Sequence, residues 1–450
     1  MITMKLSRAA EYLETTCQGD DVTFIGCSIN SRDIKTGEMF IALRGEHFDG
    51  HDFINDAIKR GACAALIDKD DSISVPSIRV SNTRYAMGTL AQQWRNKFDI
   101  PLVAITGSNG KTTVKEMLTS ILRLKAPVLS TSGNLNNDIG VPLTLFGLGQ
   151  DHKFAVIEMG ANHPGEIARL GQIARPTVAV ITQCAPAHLE GFGSIDGVAS
   201  AKAEIYENLE PVGIAIINAD DPYADFWRGK ISGLRQFSFG LDKPSDLTAT
   251  SVHQSSESGK TNFVLSSTAG SIDITLSLLG KHNVLNALAA SACALCLDID
   301  MSLIKQGLEM MTAVKGRLEL KSGPGNSRII DDTYNANPAS FDAAINVLSA
   351  FQGKRWLVLG DMGELGSNAE KLHHEAGAKA AANGIDKLFS LGDLSQASTY
   401  SFGEGAKHFK VIDQLITNIR DEIDQDVTVL VKGSRAMHME NIVNALVQEN

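Results

Sequence analysis

Residues 101–113, PLVAITGSNGKTT, run from an apolar strand through a glycine-containing turn into a polar helix start. Strand, turn and helix in such close succession commit this part of the chain to a sheet covered by helices. They also describe a place built for a nucleoside triphosphate. The strand, Leu102 to Ile105, delivers the backbone to Thr106-Gly107-Ser108-Asn109-Gly110. Gly107 and Gly110 let N–H groups converge on phosphate oxygens where a side chain would block the approach. The helix that follows, expected over 111–124, aims its positive end at the same oxygens. Lys111 adds a point charge for the outer phosphates, and Thr112, followed by Thr113, offers a hydroxyl to Mg²⁺. The common P-loop pattern wants glycine where Ile105 stands, so what remains is the shorter T-G-x-x-G-K-T-T form.

At 450 residues the chain exceeds one core, and two to four domains are expected. Three blocks are visible. The first, about 1–98, has short strands (MFIAL, AALI, SIRV) and helical stretches over 52–61 and 85–94. The second, about 99–314, contains PLVAIT, FAVIEMG, TVAVIT and GIAIIN, and the third, about 315–450, contains RIID, WLVLGD, KLFSLG and TVLVKG. Apolar strands alternating with helical patterns give an α/β class with mostly parallel sheets. The segment 237–279 is rich in Ser and Thr with short alternating runs, and a small antiparallel addition is expected there.

A formal charge of −11 with no basic face argues against general nucleic-acid binding. No run of about 18 apolar residues exists, and the N-terminus lacks the apolar core of a secretion signal. Six scattered cysteines point to a reducing, cytoplasmic setting rather than a disulfide framework. Cys293 and Cys296 form a CxxC, but inside an apolar helical run, so they read as small core residues rather than a zinc site.

In parallel sheets ligands bind beyond the carboxyl ends of the strands. Glu158 closes FAVI, where a carboxylate beside the phosphate loop suits Mg²⁺. His188 follows TVAVIT in a loop bracketed by Pro and Gly; a site role and a surface role stand level on position alone. Lys202 lies in a helical stretch and by itself reads as solvated. Asn134, Asn136 and Asn137 are neutral donors suited to phosphate or sugar oxygens, or simple turn formers. In the third block DDTYNANP, GDMGELG and KGSR each follow a strand, which makes a second ligand-facing surface.

Taken together, TGSNGKTT, GNLNNDIGVP, VIEMGANHPGEI, AHLEGFGS with AKAEIY, GKHNVLNALAA, Gly316-Arg317, DDTYNANP, GDMGELG and VLVKGSR resemble the Mur ligases, the ATP-dependent amide-forming family of bacterial cell-wall synthesis. The short loop with Ile105 is that family's own form. The resemblance implies three domains: a UDP-substrate-binding one, a central ATP-binding one and a Rossmann-like one for the incoming amine. DDTYNANP and GDMGELG resemble the member that adds D-alanyl-D-alanine to UDP-N-acetylmuramoyl-tripeptide. By resemblance, Lys111 contacts the triphosphate and Gly107 to Thr113 cradle it. Thr112 and Glu158 hold one Mg²⁺, and His188 and Lys202 serve a second, Lys202 as a carbamate formed with CO₂. Asn283 reaches the adenine, while Arg317 and Asp332 close on phosphate and ribose. Ser31, Arg32 and the Arg44-Gly45 turn hold the UDP end, and Asn335, Asn337, Lys432, Ser434 and Arg435 lie near the dipeptide and acyl-phosphate. A monomer is expected. A folate-type polyglutamylating ligase and a nucleotide-switched binding protein are the competing classes. The separate first block and the NANP turn weigh against the former, and Glu158, His188 and Lys202 together exceed what a switch needs.

Overall fold

The computed structural model describes residues 1–69, 73–186, 189–255, 259–268 and 270–447. His188 lies outside the described residues.

Three α/β layers follow one another along the chain. The first sheet has five strands in the order Cys17–Gln18, Ser77–Arg79, Ala64–Ile67, Met39–Ile41 and Cys27–Ser28, parallel except at the Cys17 edge. Thr3–Lys5 pairs separately with Thr23–Ile25. The helix expected over 85–94 runs Thr83–Arg95, because the Asn82 side chain accepts the Tyr85 N–H and caps it two residues earlier. The stretch 52–61 divides into a 3₁₀ turn, Gly50–Phe53, and a helix, Ile54–Lys59.

The central sheet has nine strands. From one edge they are Val128–Ser130, Phe154–Glu158, Leu102–Thr106, Val178–Ile181, Ile214–Asn218, Arg235–Gly240, Leu247–Ser255, Lys260–Ser267 and Gly270–Leu276. Pairing is parallel as far as Leu247–Ser255 and antiparallel beyond it. The antiparallel addition expected over 237–279 therefore exists; it starts at the pairing of Leu247–Ser255 with Lys260–Ser267 and prolongs the main sheet. Leu102 to Thr106 is buried throughout, as befits a strand covered on both faces. Leu102 and Ala104 face one core, Val103 and Ile105 the other. On the second side the helices Lys111–Arg123, Lys281–Leu295 and Met301–Glu309 close the layer. On the first side the core is continuous with that of the first sheet: Ile2, Phe24, Met39 and Trp94 belong to the same apolar cluster as Leu102 and Ile157. Cys293 is fully buried and Cys296 packs on the same core, so the CxxC is packing material.

The third sheet has six strands in the order Glu319–Ser322, Arg328–Asp332, Val427–Lys432, Lys354–Gly360, Lys387–Leu391 and Ala406–Phe409, with only the first antiparallel. Among the described residues no helix is long and apolar enough to cross a membrane.

Candidate active site

The register of the central sheet brings the chemistry together. Glu158 pairs with Ile105, and Ile181 with Thr106, so three strands end side by side at the glycine turn. A cleft of about 680 Å³ opens there and reaches the third sheet. Gly107 to Thr113, Asn134, Asn136, Asn137, Glu158, Lys202, Asn283, Arg317, Asp332, Asn335, Asn337 and Lys432 all line it. Ser31, Arg32, Arg44, Gly45, Ser434 and Arg435 do not.

The glycines of the turn are required by packing as well as by ligand approach. Gly107 has φ +150°, and a Cβ there would sit 1.8 Å from Thr182 Oγ1. Gly110, with φ +82°, is the N-cap of Lys111–Arg123, and a Cβ would sit 2.4 Å from Asn286 Oδ1. Ser108 is consumed by the neighbouring strand end: its hydroxyl donates to Ala185 O (2.8 Å) and its N–H to Gln183 O (2.9 Å). The loop is thus bolted to residues 182–185 along the cleft, where Thr182 Oγ1 also donates to Asn109 O.

Lys111 Nζ donates to Gly107 O at 2.6 Å. Burial lowers its pKa, an effect that Glu158 opposes and Arg317 reinforces. Glu158 is 2% exposed. Its Oε1 accepts from Asn136 Nδ2 at 2.8 Å, while Oε2 is buried with no hydrogen-bond partner among the described residues. An unpartnered buried carboxylate oxygen calls for a cation. Together with Thr112 Oγ1 it offers the hard oxygen donors that Mg²⁺ takes, so these residues fit the metal. They are too few to enclose it, as suits a metal completed by phosphates and water; among the described residues no cluster of three His, Cys, Asp or Glu is present.

Lys202, on the helix Ile195–Glu207, is 4% exposed and makes no hydrogen bond or ion pair among the described residues. Burial first, and Lys111 second, bring its pKa down to about 7. The solvated helical lysine expected from its position alone is thereby corrected: an apolar helix face carries it inward. At neutral pH a large share is free amine, the form that reacts with CO₂.

The third sheet supplies the opposite wall. Arg317 Nη2 donates to Thr112 Oγ1 at 3.0 Å, its guanidinium lies 4.2 Å from the Tyr334 ring centre, and its Nε is buried without a partner among the described residues. Asn337 Nδ2 donates to Asn109 Oδ1 at 2.8 Å, joining the two sheets directly. Lys432 Nζ donates to Asp332 Oδ2 (2.6 Å) and Asn335 O (3.0 Å). Burial pushes the Asp332 pKa up against the pull of Lys432.

Several expected ligand groups are occupied internally. Asn283 donates to Leu279 O (2.7 Å) and accepts from Asn286 (3.1 Å). Asn335 Oδ1 accepts the Ala336 N–H, and Asn137 Oδ1 accepts the Gly140 N–H. Ser434 is buried and hydrogen-bonds through its N–H to Asp361 O, while Arg435 is exposed and paired with Glu440 at 3.0 Å. In the first layer Ser31 is buried, Arg32 is exposed, and Arg44 bonds Asp68 at 2.7 Å. The Gly45 N–H donates to Phe48 O at 2.9 Å.

The cleft also contains residues the motifs did not single out. His282 lines it, and burial and the charge of Lys432 bring its pKa down to about 4, so it is neutral at physiological pH. Asn286 lies one turn beyond Asn283 on the same face, a spacing that could have revealed it. Arg84 reaches the cleft from the first layer and forms a two-point ion pair with Asp138 at 2.5 Å.

Comparison with known proteins agrees with this geometry. Residues 105–294 match the family described as Mur ligase middle domain, 316–435 the Mur ligase, glutamate ligase domain, and 22–95 the Mur ligase family, catalytic domain. The UDP-N-acetylmuramoyl-tripeptide--D-alanyl-D-alanine ligase of Escherichia coli is 44% identical over 100% of this chain and 99% of its own length. A crystal structure of MurF from Acinetobacter baumannii superposes with TM-score 0.93 at 36% identity, covering 99% of this chain and 98% of that one. MurF from Thermotoga maritima, crystallised with ADP, gives TM-score 0.83 at 28% identity, covering 93% and 96%. The same three matched segments account for the three sheets and the cleft between the second and third: the chain belongs to the Mur ligase family.

Proposed function

We propose that the chain ligates D-alanyl-D-alanine to UDP-N-acetylmuramoyl-tripeptide at the expense of ATP, forming the pentapeptide precursor of peptidoglycan. The end-to-end likeness to enzymes of that name supports the substrate pair. The observation that carries the chemistry is one cleft holding the glycine turn, the unpartnered Glu158 oxygen and the wall of the third sheet.

A carboxylate resists attack by an amine because its oxygen is a poor leaving group. Transfer of the γ-phosphoryl of ATP onto the tripeptide carboxylate makes that oxygen part of a phosphate. The N–H groups of the turn and Lys111 hold the phosphates and offset the charge that gathers there. The neutral amine of the dipeptide then attacks the acyl carbon, the C–N bond forms, phosphate departs with the bonding pair, and the amine proton passes to solvent or phosphate. Bound Mg²⁺, held by Glu158 and Thr112, would supply further charge neutralisation to the phosphates. Lys202 as free amine would react with CO₂, losing one proton, and the anionic oxygens of the resulting carbamate, with a ring nitrogen of His188, would hold a second Mg²⁺. Arg317 and Asn337, bonded across to Thr112 and Asn109, keep water from the acyl-phosphate by holding the third layer against the second.

In this reading residues 1–98 bind the UDP end through Ser31, Arg32, Arg44 and Gly45, residues 99–314 bind ATP with Asn283 and Asn286 beside the adenine, and residues 315–450 bind the dipeptide with Ser434 and Arg435 at its rim. The protein works as a cytoplasmic monomer in cell-wall biogenesis, on which cell shape and division depend. The test is ADP formation with UDP-MurNAc-tripeptide, with and without D-Ala-D-Ala. Dipeptide-dependent turnover with pentapeptide product is expected; ADP formation indifferent to the dipeptide and without amide product would overturn the reading.

A further inference from the structure

Glu158 is gripped at two points by a single loop. Its backbone N–H donates to Thr131 Oγ1 at 2.9 Å, and its side chain accepts from Asn136. Thr131 is 1% exposed and is pinned in turn, its own N–H donating to Val156 O at 3.0 Å. Its carbonyl accepts from Lys115 Nζ at 2.9 Å. Lys115 is 1% exposed, among Val114, Met117 and Leu118, which are fully buried. Its second partner is Glu116, at 2.5 Å. Holding an ammonium at such depth in an apolar helix face is unfavourable unless it is partnered, a demand that packing alone would avoid with an apolar residue. Lys115 sits one turn beyond Lys111 on the same helix. The helix that begins at the phosphate lysine is therefore hydrogen-bonded, one turn later, to the loop that aims the carboxylate.

We propose that Lys115 is a positioning residue for Glu158, acting through Thr131, so that the phosphate-binding helix and the metal-binding carboxylate are held at a fixed spacing. The proposal rests on the reading of Glu158 as a Mg²⁺ ligand. Partners one shell out from a metal ligand typically govern metal affinity by about 10–100-fold.

The test is ADP affinity by calorimetry, with saturating Mg²⁺ and with EDTA, the ratio measuring metal coupling without turnover. Lys115→Met is expected to lower that ratio by about tenfold or more while leaving the EDTA affinity nearly unchanged. Thr131→Val, which removes only the acceptor for the Glu158 N–H, is expected to do the same, and Thr131→Ser to restore coupling. The Thr131 pair decides the matter should Lys115→Met fail to fold. Glu158→Gln separates the two levels. Full coupling in Glu158→Gln overturns the metal reading and the proposal with it. Coupling lost in Glu158→Gln but intact in either Lys115→Met or Thr131→Val overturns the proposal and leaves the metal reading standing.

Discussion

Lys111 and Glu158 are the clearest case of chemistry decided at single atoms. Among the described residues, one cation bonds only a backbone carbonyl of its own turn, and one carboxylate oxygen is buried without a partner. Replacing Lys111 by Met is expected to lower kcat/KM for ATP by about 10²–10³-fold, the usual effect of removing one preorganised charge donor, with folding intact; a steady-state assay beside a thermal melt checks it. A second residue effect lies away from the cleft. The Met362 N–H donates to His373 Nε2 at 2.9 Å, and His373 Nδ1 contacts Ala369 O at 2.7 Å. The ring is neutral, and burial lowers its pKa below the ordinary 6.5. As pH falls, the unfolded chain binds that proton before the folded protein does. The contribution is therefore complete above the ordinary histidine value and declines as pH drops toward the lower folded value. Denaturant midpoints at about pH 7.5 and 5.5 should differ less in His373→Gln than in the parent; an equal difference would refute this. Residue identities of this kind were legible in part. Lys111, Thr112 and Glu158 announce themselves by type and by strand position. Ser108 and Asn283 carry the right groups for ligands but spend them on neighbours 77 and 4 positions away, which spacing along a chain does not reveal.

Elements in this protein do two jobs at their ends. Asn337 caps the helix Pro338–Ser349 by accepting the Ser340 N–H, with the Ser340 hydroxyl accepting the Asn337 N–H in return. The same side chain holds Asn109 of the glycine turn. Asn337→Ala should therefore cost about 1 kcal/mol through the lost cap, whereas Asn109→Ala should leave the cap and most of that stability in place. Urea titrations of the two variants make the comparison, and equal losses would contradict it. The elements themselves were largely legible, because fully buried strands such as Val178–Ile181 and Ala64–Ile67 read as unbroken apolar runs. Ends were read less well. Asn82 starts its helix earlier than the apolar pattern suggests. Polar Ser and Thr runs mark exposed strands near a sheet edge but do not say where parallel pairing stops; the pair between Phe239 and Leu247 is still parallel.

The molecule as a whole works through contacts between layers that are remote in sequence. Asn109 and Asn337 lie 228 positions apart, and Thr112 and Arg317 lie 205 apart. A single sequence carries motifs at both ends of these contacts but no sign that they meet. The family resemblance supplied that, and the cleft gives it physical form. Removing both contacts in Asn109→Ala/Arg317→Ala should loosen the third layer from the second, seen as an increased radius of gyration in solution scattering and faster amide exchange in the turns at 107–110 and 333–337; unchanged scattering and exchange would show that the two bonds do not hold the layers. The central claim is that the cleft moves a phosphoryl group onto a peptide carboxylate before the amide forms. It is tested most directly by placing a heavy-oxygen label in the reacting carboxylate of UDP-MurNAc-tripeptide and analysing the phosphate released with ATP and D-Ala-D-Ala. With both carboxylate oxygens labelled, one labelled oxygen per phosphate and one retained in the amide carbonyl are expected; unlabelled phosphate alongside amide product would contradict the claim.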